Sequence, residues 1–360
     1  MKSIYKSIGE LVERIDQRNT DGGVTNLIGV SIDKKFINSV ANVIGTDLTK
    51  YKVIEKYDFA VSLMQVSRDE KIPVACQKEY DKAIMSPAYP IFRVKDTNVI
   101  LPEYLEMWFM RPEFDREASF IAVGGVRGSM PWDDFANMKL PVPPIEEQRK
   151  IVQAYKTITD RIELKKKIND TLEATASAMF KERFSIEKAN PKWLVGTLQD
   201  LYTFQYGKGN NNPDNGGVYP VYGSNGIIGG YDEYNNEDAP VIGHIGINCG
   251  SLVFAFGKHF VTYNGVMCNV NNPQNKYFGY LTLANSRLQA HVRGSSQPFV
   301  SYDMLYEIKA VLPPSEIVEQ FEKQVTPLFE QISANQKEIK YLFELQTIWK
   351  CQDMCSRKIP

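Results

Sequence analysis

Lys139-Leu140-Pro141-Val142-Pro143-Pro144-Ile145-Glu146 and Lys309-Ala310-Val311-Leu312-Pro313-Pro314-Ser315-Glu316 are two copies of one signal, and their reading decides the fold. Each is a short apolar strand pattern, a double proline, and then a long polar segment. From Pro144 to Pro314 is 170 residues. Upstream of each copy stands the same tetrad, Val126-Arg127-Gly128-Ser129 and Val292-Arg293-Gly294-Ser295. The openings match as well: Ser7-Ile8-Gly9-Glu10-Leu11 against Thr197-Leu198-Gln199-Asp200-Leu201. The chain is therefore a duplication. Two units without a third exclude a solenoid, which needs more copies to bury its faces.

The segments after each Pro-Pro predict long helices. Proline fits a helix's first turn, and Glu146, Glu147, Glu316 and Glu319 suit the positive end of the dipole. A 4-3 spacing runs Ile151, Tyr155, Ile158, Ile162, Lys165, Asn169, Leu172, Ala176, Met179. The second runs Phe321, Val325, Leu328, Ile332, Asn335, Ile339, Leu342, Gln346, Trp349. Sustained 4-3 spacing is the heptad signature of a coiled coil. Both seams turn polar at Lys165 and Asn335, again 170 residues apart. Such residues cost stability but fix register and partner. Forty residues at ~1.5 Å each make a rod of roughly 60 Å. Pro327 is expected to kink or delay the second helix.

The parts before each helix predict mixed α/β heads with many short strands. Tyr280 to His291 reads as one helix, and Pro102 to Phe114 plays that role in the first head. The expected class is α+β: two pseudo-twofold-related mixed α/β domains separated by two long antiparallel coiled-coil helices. The expected boundaries are 1–144, 145–186, 187–314 and 315–360.

Composition narrows the function. The chain has 360 residues, 43% of them apolar and 24% charged, and a net charge of −1. These values allow real cores and two or three domains, and announce no global basic field. No apolar run approaches the ~20 residues of a membrane span. The N-terminus has no apolar signal core, and five scattered cysteines fit a reducing, cytoplasmic setting.

Signatures of catalysis are missing. There is no phosphate-binding Gly-x-x-x-x-Gly-Lys-Ser/Thr loop and no dinucleotide fingerprint. Cys351 and Cys355 lack a second ligand pair for zinc. Cys249 with His244 or His259 is a conceivable thiolate–histidine pair, but a core thiol is the plainer reading. Pro213-Asp214 with Glu307-Ile308-Lys309 only superficially matches an acid-acid-lysine nuclease site. Asp232-Glu233 with Glu237-Asp238 could be paired carboxylates for sugar hydrolysis, though they sit in a Tyr/Asn/Gly loop. The chain reads as a binding device. Two heads on a duplicated stem suit a duplex with two half-sites and an unread spacer.

The stretch Leu140-Pro141-Val142-Pro143-Pro144-Ile145-Glu146-Glu147-Gln148-Arg149-Lys150-Ile151-Val152 resembles the central conserved region of the specificity subunits of type I restriction–modification systems. Val311-Leu312-Pro313-Pro314 through Glu319-Gln320 resembles its second copy. Gly29 to Phe36 with Lys50 to Ile54 and Ser86 to Tyr89, and Tyr219 to Gly226, resemble that family's target recognition domains. The resemblance implies a non-catalytic subunit that binds a bipartite, asymmetric sequence in double-stranded DNA. It implies two adenine-N6 methyltransferase (M) subunits bringing S-adenosylmethionine, and two translocase–nuclease (R) subunits using ATP and magnesium. It implies no cofactor, metal or catalytic residue in this chain. A coiled-coil scaffold with protein- or glycan-binding heads is the alternative.

DNA contact needs Lys or Arg for phosphate and guanine, and Asn or Gln for adenine. The repeat-matched Arg127 and Arg293 lie in tight Gly-Ser turns. Lys208, Asn210 and Asn211 lie in a glycine-bounded loop. Lys34 and Lys35 follow a strand, and Arg68 follows a polar stretch. Tyr222, Asn225 and His244 complete the set.

Overall fold

A computed structural model describes residues 4–39, 46–125, 128–209, 214–294 and 296–352. It divides into two compact units, Met1–Arg161 with Tyr341–Pro360, and Ile162–Lys340.

The first unit begins with β1 (Ile4–Ser7), α1 (Ile8–Leu11) and β2 (Val12–Ile15). Then come β3 (Ile28–Val30), β4 (Phe36–Asn38), β5 (Lys52–Glu55), β6 (Phe59–Val61), α2 (Val66–Asp69), β7 (Val74–Cys76), β8 (Lys82–Met85) and β9 (Ile91–Val94). Helices α3 (Pro102–Phe109), α4 (Pro112–Ile121) and α5 (Trp132–Asn137) follow, then β10 (Lys139–Val142) and α6 (Ile145–Phe184), which passes into the second unit at Ile162. Four strands form an antiparallel sheet in the order β2-β9-β6-β7. Phe59, Phe92, Phe109, Phe114 and Phe135 interlock on one side of it, all but Phe114 no more than 1% exposed. The pairs β3-β4 and β5-β8 stand apart from this sheet.

The second unit repeats the plan. It has β11 (Leu194–Thr197), α7 (Leu198–Leu201), β12 (Tyr202–Tyr206), β13 (Tyr219–Gly223), β14 (Gly226–Tyr231), β15 (Asn236–Gly243), β16 (Leu252–Val261) and β17 (Gly265–Val270). Helices α8 (Lys276–Ala284) and α9 (Tyr302–Tyr306), strand β18 (Lys309–Leu312) and α10 (Ser315–Gln352) follow, and α10 passes back into the first unit at Tyr341. Its sheet runs β12-β17-β15-β16-β13-β14. The first four strands correspond one for one to β2-β9-β6-β7, with every pairing antiparallel. The pair β13-β14 extends that sheet, joined through a parallel contact of β13 with β16.

The closing frame is also duplicated. β1 pairs with β10 and β11 with β18, both antiparallel, with Ser7 opposite Lys139 and Thr197 opposite Lys309. Ser7 with Glu10, and Thr197 with Asp200, form capping boxes on α1 and α7. The next turn is sealed by Ile8 N–H to Met138 O at 2.9 Å and Leu198 N–H to Ile308 O at 2.8 Å.

Two expected helices differ. Pro102–Phe114 is two helices, because Pro112 has no N–H to donate and instead opens α4. Tyr280–His291 is the end of α8 followed by a single 3-10 turn, with Arg287 left-handed at the break. Pro327 does not delay α10, which starts at Ser315 and runs through it.

The heptad positions face inward. Every named seam residue from Ile151 to Met179 and from Phe321 to Gln346 is buried or half-buried. In the second unit Lys165 Nζ donates to Asn335 Oδ1 at 2.9 Å and pairs with Glu338 at 2.9 Å. Asn335 Nδ2 donates to Asn169 Oδ1 at 2.7 Å. In the first unit Gln346 donates to Thr159 at 2.8 Å. Residue numbers rise on α6 as they fall on α10, so the helices run antiparallel. Among the described residues no helix is long and apolar enough to cross a membrane.

Each long helix also supports its head. Gln148, fully buried on α6, accepts from Leu101 N–H at 2.9 Å at the start of α3 and donates to Val99 O and Pro143 O. Glu322 on α10 accepts from Tyr277 and Phe278 N–H at 2.8 and 2.7 Å, in the first turn of α8. Both satisfy donors that helix starts leave open. The repeat mate of Gln148 is Val318, so this support has moved one helical turn along α10.

Candidate nucleic-acid interface

The described residues around each tetrad glycine sit in equivalent places. Met130 N–H donates to Leu63 O at 2.8 Å, and Val300 N–H donates to His244 O at 3.0 Å. Leu63 follows β6 as His244 follows its counterpart β15. The segment that follows each tetrad is thus held beside the loop that leaves the same strand of the shared sheet. Both tetrad glycines are left-handed, Gly128 at φ +73° and Gly294 at φ +87°. A Cβ on Gly128 would meet Ser67 Oγ at 2.5 Å, and one on Gly294 would meet Gln297 O at 2.6 Å. Only glycine fits both demands.

In the first head this closeness places Arg68, on α2, against the tetrad turn. Arg68 is exposed and hydrogen-bonds Asp69 and Gln65. Gln65 and Glu70 flank α2 in left-handed conformations. Lys34 and Lys35 lie in the turn between β3 and β4. Lys35 is exposed. Lys34 is not a surface lysine: its side chain is 5% exposed, its ammonium meets Asp115 at 2.7 Å, and it donates to Phe109 O. Asp115 also accepts from Ile72 N–H at 3.1 Å. The Lys34–Asp115 pair therefore ties the hairpin to the chain just after α2, and presents Lys35 from an anchored turn. A phosphate could reach Lys34 only by displacing Asp115. Arg127 lies outside the described residues.

In the second head five loops converge. Lys208 N–H donates to Val261 O at 3.0 Å, and Tyr263 N–H donates to Gly209 O at 3.2 Å. His244 N–H donates to Asn264 O at 2.9 Å. Asn248 donates to Asn225, at the tip of the β13-β14 hairpin, and Ser251 Oγ donates to Ser224 O at 3.0 Å. Arg293 and Phe299 exchange both backbone hydrogen bonds, and Gly246 N–H donates to Pro298 O at 2.9 Å. Lys208, Asn225 and Arg293 are exposed, so the loops bring two cations and an amide to one surface. Asn210 and Asn211 lie outside the described residues.

Two residues of the set lie beneath this surface. The His244 ring is buried and donates from Nδ1 to Val300 O at 2.6 Å. It packs on Tyr206, with centroids 4.4 Å apart, and edge-on to Tyr263. Tyr206 in turn packs on Tyr302. Burial pushes the Tyr206 phenol up. Tyr222 is buried against His259, and burial pushes its phenol up to about 12. Both residues support the loops rather than face outward.

The catalytic candidates resolve into turn and core roles. The Cys249 thiol donates to the His244 carbonyl, not to its ring, and burial pushes the thiol up. Asp232 accepts from Asn215 at 2.7 Å, and Asp238 accepts from Gly257 N–H at 2.8 Å. Sequence reasoning missed Ile247, Asn248, Tyr263 and Phe299. The one available signal was the Gly246-Ile247-Asn248-Cys249-Gly250 bracket, with glycine at both ends.

The sequence profile described as "Type I restriction modification DNA specificity domain" matches residues 17–174 and again 190–342. The chain belongs to that family. Each match takes one head and most of its helix, so the duplication seen in the sheets is a duplication of the DNA specificity domain. DNA target specificity is the function that this domain carries, and a scaffold with protein- or glycan-binding heads is not favoured. Specificity subunits are non-catalytic members of their systems. Among curated relatives, the chain is 25% identical over 185 residues to the HindI specificity subunit of Haemophilus influenzae. That match spans 49% of this chain and 40% of the relative. It is 24% identical over 294 residues to the MjaIX specificity subunit of Methanocaldococcus jannaschii, across 69% of this chain and 67% of the relative. The crystal structure of the type I S subunit from M. genitalium shares the fold with a TM-score of 0.56 at 16% identity, covering 96% of this chain and 94% of that one.

Proposed function

We propose that the chain reads a bipartite, asymmetric sequence in double-stranded DNA, one half-site per head, and directs the other subunits of a type I restriction–modification complex to it. The observation that carries this is one shared frame holding two unlike loop clusters. The first offers Arg68 beside the Gly128 turn and Lys35 from the anchored turn between β3 and β4. The second offers Lys208, Asn225 and Arg293. Cations for phosphate and guanine, with an amide for adenine, are the groups groove reading needs. Two different surfaces on one repeated frame call for two different half-sites.

The partners are methyltransferase (M) subunits, two per complex, that bring S-adenosylmethionine, and translocase–nuclease (R) subunits that use ATP and magnesium. In this reading the cofactors belong to those partners. The long helices carry exposed residues on both sides of the buried seam and supply the surface on which such subunits dock. The test is a genome-wide map of N6-methyladenine in cells with and without this gene, with its methyltransferase present. A two-part motif with a fixed gap should vanish on deletion. An unchanged map, together with a purified complex that retains no duplex, overturns the reading.

A further inference from the structure

Ile247 is 94% exposed. It stands at the tip of the loop between β15 and β16, and the loop is not loose. Gly246 N–H is bonded to Pro298 O, and Cys249 N–H returns to Gly246 O at 2.9 Å. Asn248 is tied to Asn225, and Ser251 N–H is bonded to Asn248 O at 3.0 Å. The residues on both sides of Ile247 are thus fixed while its side chain contacts almost nothing in the chain. A rigid turn that holds a branched apolar side chain in water gains no packing from it.

The surroundings identify the occupant. Asn225 and Asn248 lie beside Ile247. Arg293 is linked to the loop through Phe299, which bridges both Ile245 and Arg293. A protein-docking site needs a contiguous apolar core with charge excluded from it. Here Ile247 projects among amides and a guanidinium, and the partly exposed Tyr263 and Phe299 carry their rings beside that charge instead of forming a charge-free apolar core. That mixture matches a major groove, where the thymine C5-methyl is the apolar feature and the other base edges are donors and acceptors.

We propose that Ile247 contacts the C5-methyl group of a thymine in the half-site read by the second head, and so sets specificity at that base pair. The inference rests on the DNA-reading function proposed above. The test uses the complex with its methyltransferase and duplexes carrying the motif found by methylation mapping, with each thymine replaced in turn by uracil. Uracil lacks only the methyl group. One replacement should weaken binding by about fourfold, the worth of one buried methyl-sized group. The complex with Ile247→Ala should bind the thymine and uracil duplexes equally, while Val195→Ala, an exposed change on β11, should keep the difference. Specific binding in which no uracil replacement is felt, or in which Ile247→Ala leaves the difference intact, overturns the assignment of Ile247. Failure of the wild-type complex to prefer its motif at all overturns the DNA-reading function instead.

Discussion

The two heads share four strands in one order, one closing strand pair, one capping box and one tetrad, yet they spend their charged residues differently. In the first head the cations are largely held by the fold. Lys34 is paired with Asp115, Lys78 with Glu106, and Arg93 with Asp58 and Glu55. In the second, Lys208 and Arg293 stand exposed on loops. The inserts differ too: β3-β4 and β5-β8 stand apart, whereas β13-β14 joins the sheet. The lesson is that the frame preserves where the reading loops emerge, and the inserts decide what they present.

The largest effect expected from breaking this contrast is at Lys34. Lys34→Met leaves the half-buried Asp115 without its cation, which should cost about 3 kcal/mol, the low end for a broken buried pair. Lys35→Met, next door and exposed, should leave the melting temperature unchanged. Thermal denaturation of the two variants checks this, and equal effects would remove the anchor role.

The helix supports come next. Glu322→Ala and Gln148→Ala each remove buried hydrogen bonds from a helix start, at about 2–3 kcal/mol for the charged acceptor and about 1–3 kcal/mol for the amide. Only one of them titrates. Burial, opposed by the N–H groups of Phe278 and Tyr277, holds the Glu322 carboxyl above its ordinary 4.5. The folded protein therefore keeps this proton where the unfolded chain has lost it. Its contribution is full below 4.5 and declines as pH rises through the raised value. Glu322→Gln should retain the support and flatten that decline, measured as melting temperature against pH. Gln148→Glu should introduce such a decline in the first head.

Smaller effects belong to the tetrads. Gly294→Ala combines a left-handed backbone with a close approach to Gln297 O, for a cost of about 1–2 kcal/mol. Gly128→Ala should cost less, because the Ser67 hydroxyl can rotate away. The smallest effects on stability and the clearest on binding concern the exposed cations. Arg293→Ala and Lys35→Ala should each leave melting unchanged. Each should lower the slope of log affinity against log salt by about 0.9 if it neutralises one phosphate.

Much of this was legible in the chain. The stem seam was readable because a 3.5-residue period survives in sequence and Lys165 and Asn335 interrupt it at matched places. The closing frame was readable because its parts repeat. The role of Lys34 was not, since its partner Asp115 is far along the chain and only folding brings them together. Glu322 was hidden because the support it gives lies one turn beyond the repeat mate of Gln148. The Asn225–Asn248 contact depends on β13 pairing in parallel with β16, a long-range choice that no local pattern records. Helix limits near Pro112 and Arg287 failed for local reasons: a proline that starts a helix as easily as it ends one, and an arginine forced left-handed.

The central claim is that each head reads its own half-site. The decisive measurement is the N6-methyladenine motif in two strains, one carrying Lys35→Ala with Arg68→Ala and the other Asn225→Ala with Arg293→Ala. The account predicts that each strain relaxes or loses a different half of the motif, with the other half and the gap unchanged. If both pairs alter the same half, or if either alters both halves together, the heads do not read separately and the account is wrong.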